Sequence, residues 1–191
     1  MPSAHVDRFV LERLPRPEAL PVFRFDGPGL QFPPQLNVAQ ALLLRHRGTA
    51  QGARPCVRGV APDGTPIAWS YDELAERAAR IAGVLVRQLG LVPGERVLLR
   101  GANSPMLAAC WLGVAMAGGI AVGTMPLLRA RELAGIVAKA QVRVALCDLR
   151  LADELQAARP LCPTLQAMCG FNTGDLEAAM ALLGQYLAER G

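Results

Sequence analysis

Lys139 is the only lysine among the 20 Lys and Arg residues of this 191-residue chain. A lysine that forms a Schiff base or grips a phosphate can therefore only be Lys139. It follows Ala138, so no Gly-x-x-x-x-Gly-Lys phosphate loop exists. The five cysteines, Cys56, Cys110, Cys147, Cys162 and Cys169, include no pair at two-residue spacing, and only His5 and His46 could join them. That argues against a zinc site. An odd number in apolar segments points instead to reduced, buried thiols of a cytosolic protein. No Ser/His/Asp or Cys/His set assembles, and no carboxylates pair. Two places offer weaker chemistry. Asn103 and Ser104 stand where a strand gives way to a helix, a position that can hold an anion or simply cap the helix. Arg129 and Arg131 flank another helix start and can meet a phosphate or remain a solvated pair. On these grounds no residue is assigned as catalytic, as cofactor-binding or as a metal ligand.

The net charge of +4 invites a nucleic-acid reading, which the arginines oppose. They run from Arg8 to Arg190 without a cluster, and a binding face needs one. The first twenty residues carry Asp7, Arg8, Glu12, Arg13, Arg16 and Glu18, which is no signal peptide. Residues 101–128 are free of charge for 28 positions, longer than the roughly 20 that span a bilayer. Ser104, Pro105, Gly118, Gly119 and Pro126 divide that run. Ser104 caps a helix opened by Pro105, Gly118-Gly119 ends it, and Ile120-Ala121-Val122 forms a buried strand. No membrane and no nucleic-acid partner is expected.

The elements that would position these residues follow from periodicity. Residues 1–36 hold seven prolines and read as an extended arm. Asn37 caps a helix running to about Arg47. Residues 56–60 and 67–69 read as strands joined by the turn Pro62-Asp63-Gly64. Ser70 and Glu73 form a capping box, and Tyr71, Leu74, Ala78, Ile81, Leu85 and Leu89 keep helical spacing until Gly90. Strands at 96–100, 120–123 and 142–147 then alternate with helices at 105–117, 131–140 and 149–158, the last capped by Asp148. This alternation predicts an α/β fold, a partial parallel sheet with helices on both faces. Pro160 and Pro163 break it, and 160–174 reads as a loop. Residues 175–190 read as a final helix with Leu176, Met180, Leu183 and Leu187 on one stripe, an ordinary core face or a surface seeking a partner. The expected organisation is an arm at 1–36, an α/β subdomain at 37–160, and a loop with an amphipathic helix at 161–191.

Several of these segments carry a resemblance. Trp69-Ser70-Tyr71-Asp72-Glu73-Leu74, followed by Ala75, Arg77, Ala78 and Ala82, resembles the Thr-Tyr-x-Glu-Leu helix of acyl-adenylate-forming enzymes, the AMP-dependent synthetases and ligases. Gly90-Leu91-Val92-Pro93-Gly94-Glu95-Arg96-Val97 is similar to that family's Gly-x-x-x-Gly-Asp-x-Val. Asn103-Ser104, Gly113, Gly118-Gly119-Ile120-Ala121-Val122, Pro126-Leu127 and Glu132-Leu133 continue in the family's order across 37–155. Ser3-Ala4-His5-Val6-Asp7, Leu14-Pro15, Pro17-Glu18, Leu36-Asn37 and Cys169-Gly170-Phe171-Asn172 resemble the benzoate and 2-aminobenzoate CoA ligase branch.

The resemblance implies ATP, Mg²⁺, coenzyme A and an aromatic carboxylate. In that family the acid attacks the α-phosphate of ATP to give an acyl-adenylate, and the thiol of coenzyme A then displaces AMP. It also implies a Ser/Thr/Gly-rich loop ending in Gly-x-Pro-Lys and a C-terminal domain with a second lysine, which the 191 residues do not contain. The expectation is therefore an N-terminal fragment of an aryl-CoA ligase, cytoplasmic and inactive alone. Its partner would be the remainder of the ligase or a second copy. The alternative is a non-catalytic interaction module that self-associates or binds a partner.

Overall fold

The computed structural model describes residues 3–172 apart from Phe23 and Pro62. Strands β1 (Pro55–Val60) and β2 (Pro66–Ser70) pair antiparallel as a two-stranded sheet. Strands β3 (Arg96–Arg100), β4 (Ile120–Thr124), β5 (Val144–Asp148) and β6 (Ala167–Phe171) form a second sheet in the order β4-β3-β5-β6, with every pair parallel. Five helices accompany them among the described residues: α1 (Val38–Leu43), α2 (Tyr71–Arg87), α3 (Pro105–Met116), α4 (Ala130–Ala140) and α5 (Ala152–Ala158).

The parallel sheet is apolar on both faces, and alternation along each strand sends its side chains to two separate cores. Val97 and Leu99 of β3, with Val144 and Leu146 of β5, pack against Leu85, Cys110 and Val114. Leu98, Ala145 and Cys147 point the other way and meet Leu133, Val137 and Leu155. Each fully buried valine or leucine contributes roughly 1.5–3 kcal/mol. A third cluster of Leu43, Leu74, Ala75, Ala78 and Ala109 lies among α1, α2 and α3. Helix α3 approaches α2 closely at Gly113, where a Cβ would stand 2.7 Å from Ile81 Cγ2.

Local chemistry sets the helix starts. The Ser70 hydroxyl accepts from Glu73 N at 3.2 Å, and the Glu73 carboxylate accepts from Ser70 N at 2.8 Å, completing the capping box. Asn37 accepts from Gln40 N and also donates to the carbonyls of Ala115 and Met116, so one side chain starts α1 and ties off α3.

Two expectations are corrected. Residues 167–171, read as part of a loop, form β6, whose register Val144↔Ala167 to Asp148↔Phe171 is supplied by β5. Helix α5 starts at Ala152. Leu149–Leu151 is a 3-10 turn, and Asp148 caps that turn by accepting from Arg150 N. Arg96 and Arg100, the polar ends of β3, are 6% and 1% exposed. The uncharged run 101–128 divides into α3 and β4, and no helix of the described residues is long and apolar enough to cross a membrane. The helix expected at 175–190 lies outside the described residues.

Candidate functional site at the carboxyl edge of the sheet

Parallel open sheets bind ligands beyond the carboxyl ends of their strands, where the strand order reverses. Here the connection from β3 leads to β4 on one side, and that from β5 leads to β6 on the other. The crevice therefore lies between the ends of β3 and β5, at Arg100 and Asp148.

Arg100 fills its share of the crevice. Its Nε donates to the Leu151 carbonyl at 3.1 Å and its Nη1 to Met125 at 3.2 Å. Its Nη2 donates to Pro126 at 3.1 Å and Leu128 at 3.0 Å. One guanidinium thus gathers four carbonyls from the segments that follow β4 and β5. Next to it Asp148 is wholly buried. Its carboxylate accepts from Arg150 N (3.1 Å), Arg150 Nε (2.9 Å), Arg150 Nη2 (2.6 Å) and Asn172 Nδ2 (2.8 Å). Burial pushes the Asp148 pKa up, but the hydrogen bonds from Arg150 and Asn172 outweigh it and hold the carboxyl below its ordinary value. Asn172 reaches this carboxylate from a left-handed backbone, φ +57°, which asparagine tolerates better than most residues.

The remaining sequence candidates take bland positions. Asn103 is exposed, and Ser104 caps α3 by accepting from Leu107 N at 3.2 Å. Arg129 pairs with Glu154 at 2.8 Å, and the other oxygen of Glu154 accepts from Ala130 N. Arg131 is exposed on the first turn of α4. The ring of His46 packs on Tyr71 at 4.7 Å, and His5 is half-buried in the arm. All five cysteines are free thiols. Burial pushes Cys110 and Cys147 up to about 12 and Cys169 up to about 11, so these sulfurs stay protonated and are poor nucleophiles. Sequence reasoning missed Arg100 and Arg143. The only signal was an arginine beside or within an otherwise apolar strand.

The edge holds a carboxylate and guanidiniums whose hydrogen-bonding capacity is largely spent on the chain itself. No group of three His, Cys, Asp or Glu side chains among the described residues could hold a metal ion. The nucleotide and Mg²⁺ implied by the resemblance therefore do not fit these residues taken alone. Asp148 is committed to Arg150 and Asn172, and Arg100 to backbone carbonyls.

A sheet of this order with these flanking helices is the fold of acyl-adenylate-forming enzymes. Solved structures sharing it include the anthranilate CoA ligase AuaEII in complex with anthranoyl-AMP, at 19% identity and TM-score 0.63, covering 78% of this chain and 27% of that one. A benzoate CoA ligase from Burkholderia xenovorans LB400 shows 22% identity and TM-score 0.63 over 78% of this chain and 28% of its own. The family model described as AMP-binding enzyme matches residues 44–181, and the chain belongs to that family. Acyl-coenzyme A synthetase ACSM5, mitochondrial, of Rattus norvegicus is 31% identical over 112 residues, covering 54% of this chain. The chain spans 18% of the length of that relative.

Proposed function

We propose that this chain is the N-terminal part of a cytoplasmic, ATP-dependent and AMP-forming acid–CoA ligase for an aromatic carboxylate such as benzoate or 2-aminobenzoate, inactive by itself. The observation that carries the reading is the family match across 44–181 on a four-stranded sheet whose carboxyl edge is closed by its own side chains. Displacement at the α-phosphate of ATP depends on cations and donors free to meet developing charge. Arg100 and Asp148 are engaged instead in holding the crevice together. Benzoate and anthranilate ligases among the structures of the same fold support the substrate class, as do the segments at 3–7 and 169–172. ATP–pyrophosphate exchange with benzoate or 2-aminobenzoate tests it. The expected result is no exchange above background, and clear exchange overturns the inactive-fragment reading.

The partner on this reading is the remainder of the ligase. Strand β4 is a sheet edge, and Met125 and Leu127 just beyond it are 64% and 80% exposed, with Trp111 of α3 at 47%. Such an apolar margin supports a covering partner. It equally supports the second reading, in which the chain is an interaction module that associates with another copy. Size-exclusion chromatography separates the two. Elution as a monomer at every concentration counts against self-association, and a concentration-dependent dimer counts for it.

A further inference from the structure

At the opposite edge of the sheet, beside the start of β3, an open groove of about 400 Å³ is lined by Asp7, Phe9, Arg13, Arg96, Lys139 and Gln141. The first three belong to the N-terminal arm, Arg96 begins β3, and Lys139 and Gln141 lie at the end of α4. The arm is held in place by backbone bonds. Val6 N and Asp7 N both donate to the Pro93 carbonyl at 2.9 Å. Gly94 sits at φ +93°, and a Cβ there would collide with the Asp7 carbonyl, so the arm can lie this close only over glycine.

The charges in the groove do not balance. Asp7 is satisfied, since Oδ1 accepts from Phe9 N at 2.8 Å and Oδ2 meets Arg96 Nη1 at 2.7 Å. Arg96 gives further bonds to the carbonyls of Gly94, Ala140 and Gln141. The last two end α4, so the partial negative charge at that helix terminus is already met. Arg13 and Lys139 differ. Neither takes part in an ion pair among the described residues. The Arg13 guanidinium lies 3.8 Å over the Phe9 ring and donates to the Phe9 carbonyl, while Lys139 is exposed. Two uncompensated cations, one from the arm and one from the body, therefore line a single cavity.

We propose that this groove binds a small polyanion of the phosphate class, a diphosphate or phosphate monoester, held between Arg13 and Lys139. The guanidinium fork of Arg13 takes two oxygens, and the Lys139 ammonium supplies a point charge. Because its two cations come from different parts of the chain, the ligand also clasps the arm to the body.

Lys139 is the sole side-chain amine, so acylation followed by peptide mass spectrometry reports on this site directly. The full chain is acetylated with limiting acetic anhydride, which transfers an acetyl group to a free amine and releases acetate, in the presence of inorganic pyrophosphate or of sodium chloride at matched ionic strength. At pyrophosphate about ten times its Kd, modification of Lys139 is expected to fall about tenfold by mass action, with the α-amino group unaffected. Arg13→Gln is expected to abolish the protection. In titration calorimetry Lys139→Gln loses the binding heat and Lys139→Arg restores it. Both side chains are exposed, so the variants keep the parent circular dichroism. Equal modification in pyrophosphate and chloride overturns the proposal, as does protection that survives Arg13→Gln.

Discussion

At the carboxyl edge of the sheet Arg100 is almost wholly buried and spends its donors on four backbone carbonyls. At the amino edge Arg96 and Arg143 each join a carboxylate as well as carbonyls. Arg96 pairs with Asp7, while Arg143 grips Glu95 through both oxygens (2.8 and 2.7 Å) and also holds the carbonyls of Leu89 and Gly90. Both edges meet the same need, since carbonyls left over at strand and helix ends must find donors. The difference lies in what balances the cation. Backbone dipoles surround Arg100. The amino edge depends on two carboxylates, Asp7 and Glu95.

Arg100→Met breaks this comparison most severely. It leaves four carbonyls without their donor, and we expect a loss of about 3–5 kcal/mol in urea unfolding. A loss under about 1 kcal/mol would mean that the loops after β4 and β5 hold themselves. Asp148→Asn ranks next at about 2 kcal/mol, because the charged acceptor of Arg150 and Asn172 is removed while the shape is kept. Asp7→Asn should cost about 1 kcal/mol or less in the same measurement, its side chain being a quarter exposed and its gain screened by solvent.

The smallest expected effect is the pH dependence of the amino edge. Burial pushes the Asp7 and Glu95 carboxyls up, but hydrogen bonds from Arg96 and Arg143 respectively outweigh it and hold both below their ordinary values. A depressed carboxyl pKa stabilises fully above the unfolded value, near 4, and the contribution is lost as pH falls through the folded value. The gap between the parent and Asp7→Asn should therefore stay constant from pH 7 to 5 and close in more acid solution. A gap that persists at pH 2 would show that Asp7 acts through shape and not through charge.

How much of this was legible depended on how local the cause was. The capping box at Ser70 and Glu73, the Ser104-Pro105 helix start and the apolar strands expected at 96–100 and 142–147, the second of which runs from Val144 to Asp148, are written in neighbouring residues. Strand β6 is not. Ala-Met-Cys-Gly-Phe has little strand character, follows Pro160 and Pro163, and becomes a strand because β5 offers it an edge. The buried arginines were missed for a related reason. An arginine at the end of an apolar run looks like a solvated terminus, and only the fold brings Met125, Pro126, Leu128 and Leu151 to surround Arg100. At the candidate site Ser104 caps α3, one of the two roles its position offers, whereas neither the pairing of Arg129 with Glu154 nor the reach of Asn172 to Asp148 has any sign in the neighbouring residues.

The strand order also bears on how the chain is made. Strand β3 lies between β4 and β5, yet β5 begins twenty residues after β4 ends (124 to 144). During synthesis β3 and β4 can pair while the other side of β3 waits for its neighbour, for about 1–4 s at ordinary elongation rates. The most thoroughly buried strand pair of the mature sheet thus passes through a stage with one open, apolar edge. Ribosomes paused in the codons for α4 would lengthen that stage, and newly made chains would then be most apt to aggregate before they fold.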